Sequence, residues 1–247
     1  MLGQELVSYL RESILDDSAL PYLWSDVELL RFLNYAEVQA CRRAYLLIDG
    51  TTANDSGTAG TAGTLGQRAL CSLSLVANQA TYFLSPKVLQ IKRCQLRSMT
   101  YPLSGPVSYS ELDFYTPGWW GTNGTVGTAG SGGYPQFFMN EPVNTVTFVP
   151  SPSVNDTAQL VISRLPLTSF TLSTSPEIAA EHQDGLCDWA AHLAFSKPDS
   201  ETSNLELARM YEDRFVSRFG QLPDANSERI RRTLNMKQRM RPRTWGS

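Results

Sequence analysis

Nucleophile, base and acid side chains crowd together at one place in the chain: His182, Asp184, Cys187 and His192. A cysteine nucleophile activated by histidine needs that histidine on its own helix face, three or four residues away. Both histidines instead stand five residues from Cys187, so the spacing fails and Cys187 reads as a small core residue. The glycine run GTAGTAGTLG, residues 57–66, superficially suggests a phosphate loop. A phosphate loop needs a buried strand before it and a Gly-Lys-Ser/Thr opening a helix after it, so that amide groups and the lysine meet the phosphates. Here a helical pattern precedes the run and Gln67-Arg68 follows, so a flexible loop is the expectation. Glu111 and Asp113 read as two carboxylates sharing the solvent face of a strand. Cys41, Cys71, Cys94 and Cys187 form no CxxC pair, and with His182 and His192 they give no zinc-ligand spacing. GxSxG, HExxH and DxDxG-type patterns are absent. The expectation is a protein without catalysis, cofactor or metal, made in a reducing intracellular setting.

Charge is more informative than catalytic grammar. From Glu228 onward, seven cations (Arg229, Arg231, Arg232, Lys237, Arg239, Arg241 and Arg243) face one acid, a net +6. The whole chain is −3, so the rest carries −9. An acidic body with a basic terminus suggests that the terminus has a partner of its own. It could be a solubilising end, or an arm that releases counterions from nucleic-acid phosphates. Leu234, Met236, Met240 and Trp245 interleave with the charges, which favours a third reading: docking into a protein groove, with ordering on binding.

These features must be held by a scaffold, and its periodicities are readable. Ile178, His182, Leu186, Trp189 and Leu193 recur at helical spacing after Pro176. Leu205, Ala208, Tyr211, Phe215 and Phe219 do the same before Gly220, so 176–220 reads as an αα-hairpin with an aromatic face. At the other end, Leu2, Leu6, Leu10 and Ile14 predict a short helix ending near Asp16-Asp17. A second helix opens with a Ser25/Glu28 capping box and a Trp24/Leu29 staple. Its predicted face is Val27, Leu30, Asn34, Val38, Cys41, Tyr45 and Ile48, with Asn34 either a buried hydrogen-bonder or a sign of a narrower stripe. Between the helical ends the period becomes two. Strands are predicted around 69–76, 81–84, 88–99, 146–149 and 160–163, set between Gly/Thr-rich stretches at 49–66 and 116–134 read as mobile loop tips.

The expected class is therefore α+β. Residues 1–49 and 176–222 form a helical bundle, 50–175 an inserted antiparallel β domain, and 223–247 an extended basic tail. Trp24, Leu30, Trp189, Leu193, Tyr211 and Phe215 are the candidate core and subunit-packing residues of the helical body. No apolar run approaches the ~20 residues of a membrane span, and the acid-bearing N-terminal pattern is not that of a secretory leader.

The order of several segments resembles the head-to-tail adaptor (connector) proteins of tailed bacteriophages. They are Trp24-Ser25-Asp26-Val27-Glu28-Leu29-Leu30 with Asn34-Tyr35-Ala36-Glu37, Ser110-Glu111-Leu112-Asp113, and Pro117 with Trp119-Trp120. Gly133-Tyr134-Pro135-Gln136-Phe137-Phe138, Val149-Pro150-Ser151-Pro152 and Leu160-Val161-Ile162 follow. Pro176-Glu177, Leu186, Trp189-Ala190 and Tyr211-Glu212-Asp213-Arg214-Phe215 complete the series. The resemblance implies a virion protein at the portal–tail junction, made in the host cytoplasm and forming a ring of copies, normally dodecameric. It implies that the basic terminus (Arg229, Arg231, Arg232, Leu234, Met236, Lys237, Arg239, Met240, Arg241, Arg243 and Trp245) grips the portal protein. A next tail or nozzle protein would bind below, and genomic DNA would pass an acidic lumen without sequence-specific binding. Two other readings stay open: a minor tail or receptor-binding protein whose Trp119-Trp120 pair stacks on host glycan, and a DNA-binding protein using the terminal arginines.

Overall fold

The computed structural model describes residues 1–55, 69–116, 118–119, 134–141, 144–198 and 203–233. It is mixed helix and sheet, as an α+β chain should be. In chain order the elements are α1 (Gly3–Tyr9), a π-helical segment (Leu10–Leu15), α2 (Asp26–Ala44) and β1 (Leu47–Asp49). Then come β2 (Ser72–Leu75), β3 (Thr81–Phe83), β4 (Val88–Leu96), α3 (Tyr109–Tyr115), β5 (Phe137–Met139), β6 (Thr145–Val149) and β7 (Asp156–Arg164). The last four are α4 (Ala180–Gln183), α5 (Leu186–Phe195), α6 (Leu205–Phe219) and α7 (Ala225–Thr233). The Gly/Thr-rich stretches fall largely on residues 56–68 and 120–133, outside the described residues.

The chain divides into two compact units. The first comprises Met1–Asp49, Lys87–Leu89 and Ile162–Asp224. Its helices α2, α5 and α6 pack on one another around one apolar cluster that includes Leu6, Leu10, Trp24, Leu29, Leu33, Trp189, Phe195 and Phe215. Trp24 meets Phe195 edge-on at 6.3 Å, Phe195 stacks on Tyr211 at 5.9 Å, and Trp189 tilts against Phe215 at 5.0 Å. Burying each such ring is worth about 1.5–3 kcal/mol, which is what orders helices of this length.

Local chemistry sets the helix ends. Ser25 Oγ accepts the Glu28 amide at 3.3 Å, capping α2. The Glu28 carboxylate does not close the expected box. It pairs with Lys197 Nζ at 3.2 Å, a partner on the α5 side that gives it a full opposite charge. The inward face of α2 also differs from the predicted one: Leu29, Leu33, Ala36, Glu37, Ala40 and Cys41 are buried, whereas Val27 is 78 % exposed. Asn34 is a hydrogen-bonder that ties a loop to the helix. Its amide donates to the carbonyls of Leu30 (2.9 Å) and Phe170 (3.0 Å), and its oxygen accepts the Phe170 amide (2.8 Å). Tyr45, in the left-handed conformation (φ 52°), ends α2, and Leu47–Asp49 turns into β1 antiparallel to Ile162–Arg164.

The helix expected from Pro176 starts later. Glu37 Oε1 accepts the amides of Glu177 (2.6 Å) and Ile178 (3.2 Å), leaving 176–179 irregular. The short α4 then breaks at Asp184-Gly185 before α5 begins. At Gly185 a Cβ would sit 2.9 Å from the Phe219 ring, so the absence of a side chain lets α6 approach. Asn204 Oδ1 caps α6 through the Leu207 amide (3.1 Å), and Gly220 at φ 83° ends it.

The second unit comprises Gly50–Pro86, Gln90–Val161 and Ala225–Ser247. In it β2 pairs antiparallel with Asp156–Gln159 of β7, and β4 also pairs with β7. A separate sheet has the order β3-β6-β5, all antiparallel, with Tyr82 opposite Val146 and Phe138 opposite Phe148. The alternation read from the sequence holds in β2: Cys71, Leu73 and Leu75 are buried while Ser74 is exposed. Beyond β4 the chain folds back at residues 97–101, with Gln95 bridged to Pro102 and the Leu103 amide on the Cys94 carbonyl (2.8 Å).

Candidate interaction surfaces

Residues 110–113 lie in helix α3, not in the strand expected there. Ser108 and Glu111 form a complete capping box, so Glu111 faces back to the helix start and Asp113 accepts Trp119 Nε1 at 2.7 Å. The two carboxylates therefore have separate structural tasks. Trp119 is only 2 % exposed, packed with Leu112, Met139 and Val149 and stacked on Tyr109. That burial removes the sugar-stacking surface expected of Trp119; Trp120 lies outside the described residues.

The cysteine–histidine run is likewise structural. Cys187 is fully buried, and burial pushes its thiol up to about 12, so no thiolate nucleophile exists at neutral pH. Burial does the same to Cys41 and Cys94, each pushed up to about 12. His192 Nδ1 lies 3.0 Å from the Ala208 carbonyl, and His182 meets Phe219 edge-on. Among the described residues no group of histidine, cysteine and carboxylate side chains could hold a metal ion, and no helix is long and apolar enough to cross a membrane.

Of the residues expected to form the body core, Trp24, Trp189, Tyr211 and Phe215 are buried in the helical cluster. Leu30 and Leu193 pack against it, partly buried. Trp189 also lies under the Arg43 guanidinium at 4.7 Å, with the Phe215 ring 5.0 Å from the same group.

Of the terminal cations, Arg229 and Arg231 stand exposed on α7. The Arg231 carbonyl accepts from Gln90 Nε2 at 3.0 Å, a contact that caps the helix C-terminus with a buried β4 side chain. The Arg232 side chain and Leu234, Met236, Lys237, Arg239, Met240, Arg241, Arg243 and Trp245 lie outside the described residues.

Three features of the surface have no counterpart in the sequence reading. One is a polar cleft of about 460 Å³ in the helical unit, lined by Tyr9, Ser13, Ile14, Asp184, Asp188, Tyr211, Arg214, Ser217 and Arg218. Arg218 pairs with Asp184 at 2.8 Å and lies 3.8 Å from Asp188, whose carboxyl burial pushes above its ordinary range. The second is the loop before α2 and the first turn of that helix, where Leu20 (79 % exposed), Tyr22, Leu23 and Val27 face solvent. It is built on Arg11, itself buried, which bonds Asp17 (2.6 Å), the Trp24 carbonyl (2.8 Å) and Asp26 (2.6 Å) and lies 3.9 Å from the Tyr22 ring centre. The third is the turn after β4, where Tyr101 is 76 % exposed and Arg97 is exposed. Single apolar residues and scattered charges in irregular segments carry no periodicity, so only coordinates reveal these groupings.

The family model described as SU10 adaptor protein matches residues 1–243. No curated protein matches the chain.

Proposed function

The chain belongs to the SU10 adaptor protein family, a family of phage head-to-tail adaptors, and from that premise we propose that it forms a ring joining the portal to the tail. As a phage structural adaptor it is a virion protein that associates with other head and tail proteins. In the proposed arrangement residues 1–49 and 176–222 are the helical body of each copy, and 50–175 is an inserted β domain facing the next tail or nozzle protein. Residues 223–247 clasp the portal through Arg229, Arg231, Arg232, Leu234, Met236, Lys237, Arg239, Met240, Arg241, Arg243 and Trp245. Copies of the helical body pack side by side, twelve to a ring, with no catalysis.

The observation that carries this reading is the extent of the family match, which runs from the first helix through the basic segment rather than over one module. Charge supports it. A body of −9 beside a terminus of +6 suits a subunit whose cations meet a protein partner while its acids line a passage for DNA. A lumen that repels phosphate lets the genome slide.

Deletion of residues 228–247 tests the portal clasp. Binding of the shortened chain to the cognate portal, measured by co-sedimentation, should be lost while the helical unit still folds. Undiminished binding would remove the terminus from that role. A DNA-binding arm would instead show tail-dependent DNA affinity that falls steeply with salt.

A further inference from the structure

We propose that residues 165–178 are a proton-controlled latch, closed over α2 while the Glu37 carboxyl is neutral and lifting when that carboxyl ionises. The segment joins β7 to α4 without helix or strand, and it lies wholly within the helical unit. Residues 171–175 are exposed, and only Phe170, Pro176 and Ile178 are buried. Side chains do much of the holding. Glu37 Oε1 accepts the amides of Glu177 (2.6 Å) and Ile178 (3.2 Å), and Asn34 bonds both the amide and the carbonyl of Phe170. Glu177 Oε1 accepts the amides of Leu167 (2.6 Å) and Thr168 (3.2 Å). The carbonyls of Leu172 and Thr174 receive the amides of Gln4 (2.9 Å) and Gly3 (2.8 Å), so the latch also holds the start of α1. A segment with few buried apolar groups, tied down by individual side chains, opens locally ahead of the helices it covers.

Charge makes Glu37 the trigger. Three carboxylates meet one guanidinium in this part of the unit. Arg164, from β7, bonds Asp49 of β1 at 2.8 Å and Glu177 of the latch at 2.6 Å, so those two acids are paired. Glu37, from α2, is 1 % exposed and bonds only neutral amides. The Glu177 charge works against its ionisation, and Arg164 favours it only through space. The Cys41 thiol, one turn further along α2, is kept neutral by burial and supplies no countercharge. Desolvation therefore holds the Glu37 carboxyl up at about 7, from an ordinary 4.5. Releasing the two amides that cover it opens the carboxylate to water. Below about pH 4.5 the proton stays on in closed and open forms alike. Between 4.5 and 7 only the closed form keeps it, so opening grows up to about tenfold with each pH unit. Above 7 both forms are ionised and the gain levels off.

Hydrogen–deuterium exchange of the full chain, with each rate divided by the intrinsic rate of its amide, reads the latch directly. Protection of the slowest amides in 165–178 should fall roughly seventyfold from pH 5 to pH 8, most of it below pH 7. At every pH these amides should be less protected than the slowest ones of α5 and α6, because the latch opens first. Equal protection would mean that the unit opens only as a whole and would overturn the latch. In Glu37→Gln the protection of 165–178 should stay level across the same range. A level profile in the natural chain would overturn the proposal, as would the same fall in Glu37→Gln. Glu177→Gln removes the opposing charge and leaves Arg164 with one acid fewer, so the fall should end below pH 7. An end-point that stays put or rises would place the proton on another group and remove Glu37 from the role. The natural chain and Glu177→Gln decide the matter even where Glu37→Gln fails to fold.

Discussion

Replacing Glu37 by glutamine should make the helical unit more stable at pH 8 than the natural chain. Glu37 is 1 % exposed, and desolvation raises its pKa from 4.5 to about 7 against the opposing pull of the Ile178 and Glu177 amides and of Arg164. The charge on Glu177 adds to the upward shift. Desolvation wins because two neutral donors do not replace the hydration of a full charge. Between pH 4.5 and 7 the folded chain keeps a proton that the unfolded chain has lost. Stability from this group is therefore fully present below about 4.5, falls as pH rises, and is gone above about 7. At 1.36 kcal/mol for each pH unit, the gap amounts to roughly 3 kcal/mol, or about 6–12 °C in Tm for a chain of this size. Glutamine keeps an Oε1 that can accept the Glu177 and Ile178 amides, and it cannot ionise. Urea melts followed by Trp24 and Trp189 fluorescence, run from pH 4.5 to 8, give the difference between the two proteins. That difference should be small at pH 4.5 and grow to roughly 3 kcal/mol in favour of glutamine by pH 8. Arg164, which pairs with Asp49 at 2.8 Å and with Glu177 at 2.6 Å, is present with both partners in the two proteins. A flat difference, or one of opposite sign, would refute the reasoning.

Two further outcomes are expected. Arg11→Met should cost about 3–5 kcal/mol in urea melts, because it strands Asp17, whose side chain is 3 % exposed, as a buried unpaired charge; a loss below about 1 kcal/mol would show that the two amides on Asp17 suffice. Gly3→Ala drives a methyl into the Thr171 carbonyl oxygen, so it should destabilise by about 1–3 kcal/mol, and an unchanged Tm would mean that the 171–174 loop yields freely.

How much of this was legible beforehand depended on the size and spacing of side chains. The aromatic stripe Tyr211-Phe215-Phe219 announced α6, and Ser25 announced the start of α2, because large periodic residues and caps leave local marks. The buried face of α2 is hard to read in the sequence because small residues and a carboxylate fill much of it: Ala36 and Ala40 are fully buried yet weigh little in a stripe of large apolar residues. The reading therefore followed Val27, which protrudes. β1 went unseen since α2 ends at Tyr45, with neither glycine nor asparagine to signal the left-handed turn. Ser108 and Glu111 carry a helix-start signal for α3, which the two-residue spacing of Glu111 and Asp113, read as that of a strand, obscures. The burial of Trp119 depends on Asp113 taking its indole N–H, a pairing across a loop that no period encodes.

The π-helical segment carries a consequence for how this chain tolerates changes of length. Its wider turns bring Leu10, Arg11 and Leu15 inward together and deliver the chain to Asp16 in a left-handed conformation (φ 52°). Such a segment amounts to one surplus residue inside an ordinary helix. Excising a single residue between Leu10 and Leu15 would let the helix relax to its regular pitch while the segments on either side keep their register. Asp17 would keep its place beside Arg11, and with it the support beneath Leu23. A one-residue deletion here should thus be absorbed, whereas the same deletion in the middle of α2, which holds no surplus residue, would rotate Ala36, Ala40 and Cys41 out of the core by about 100°.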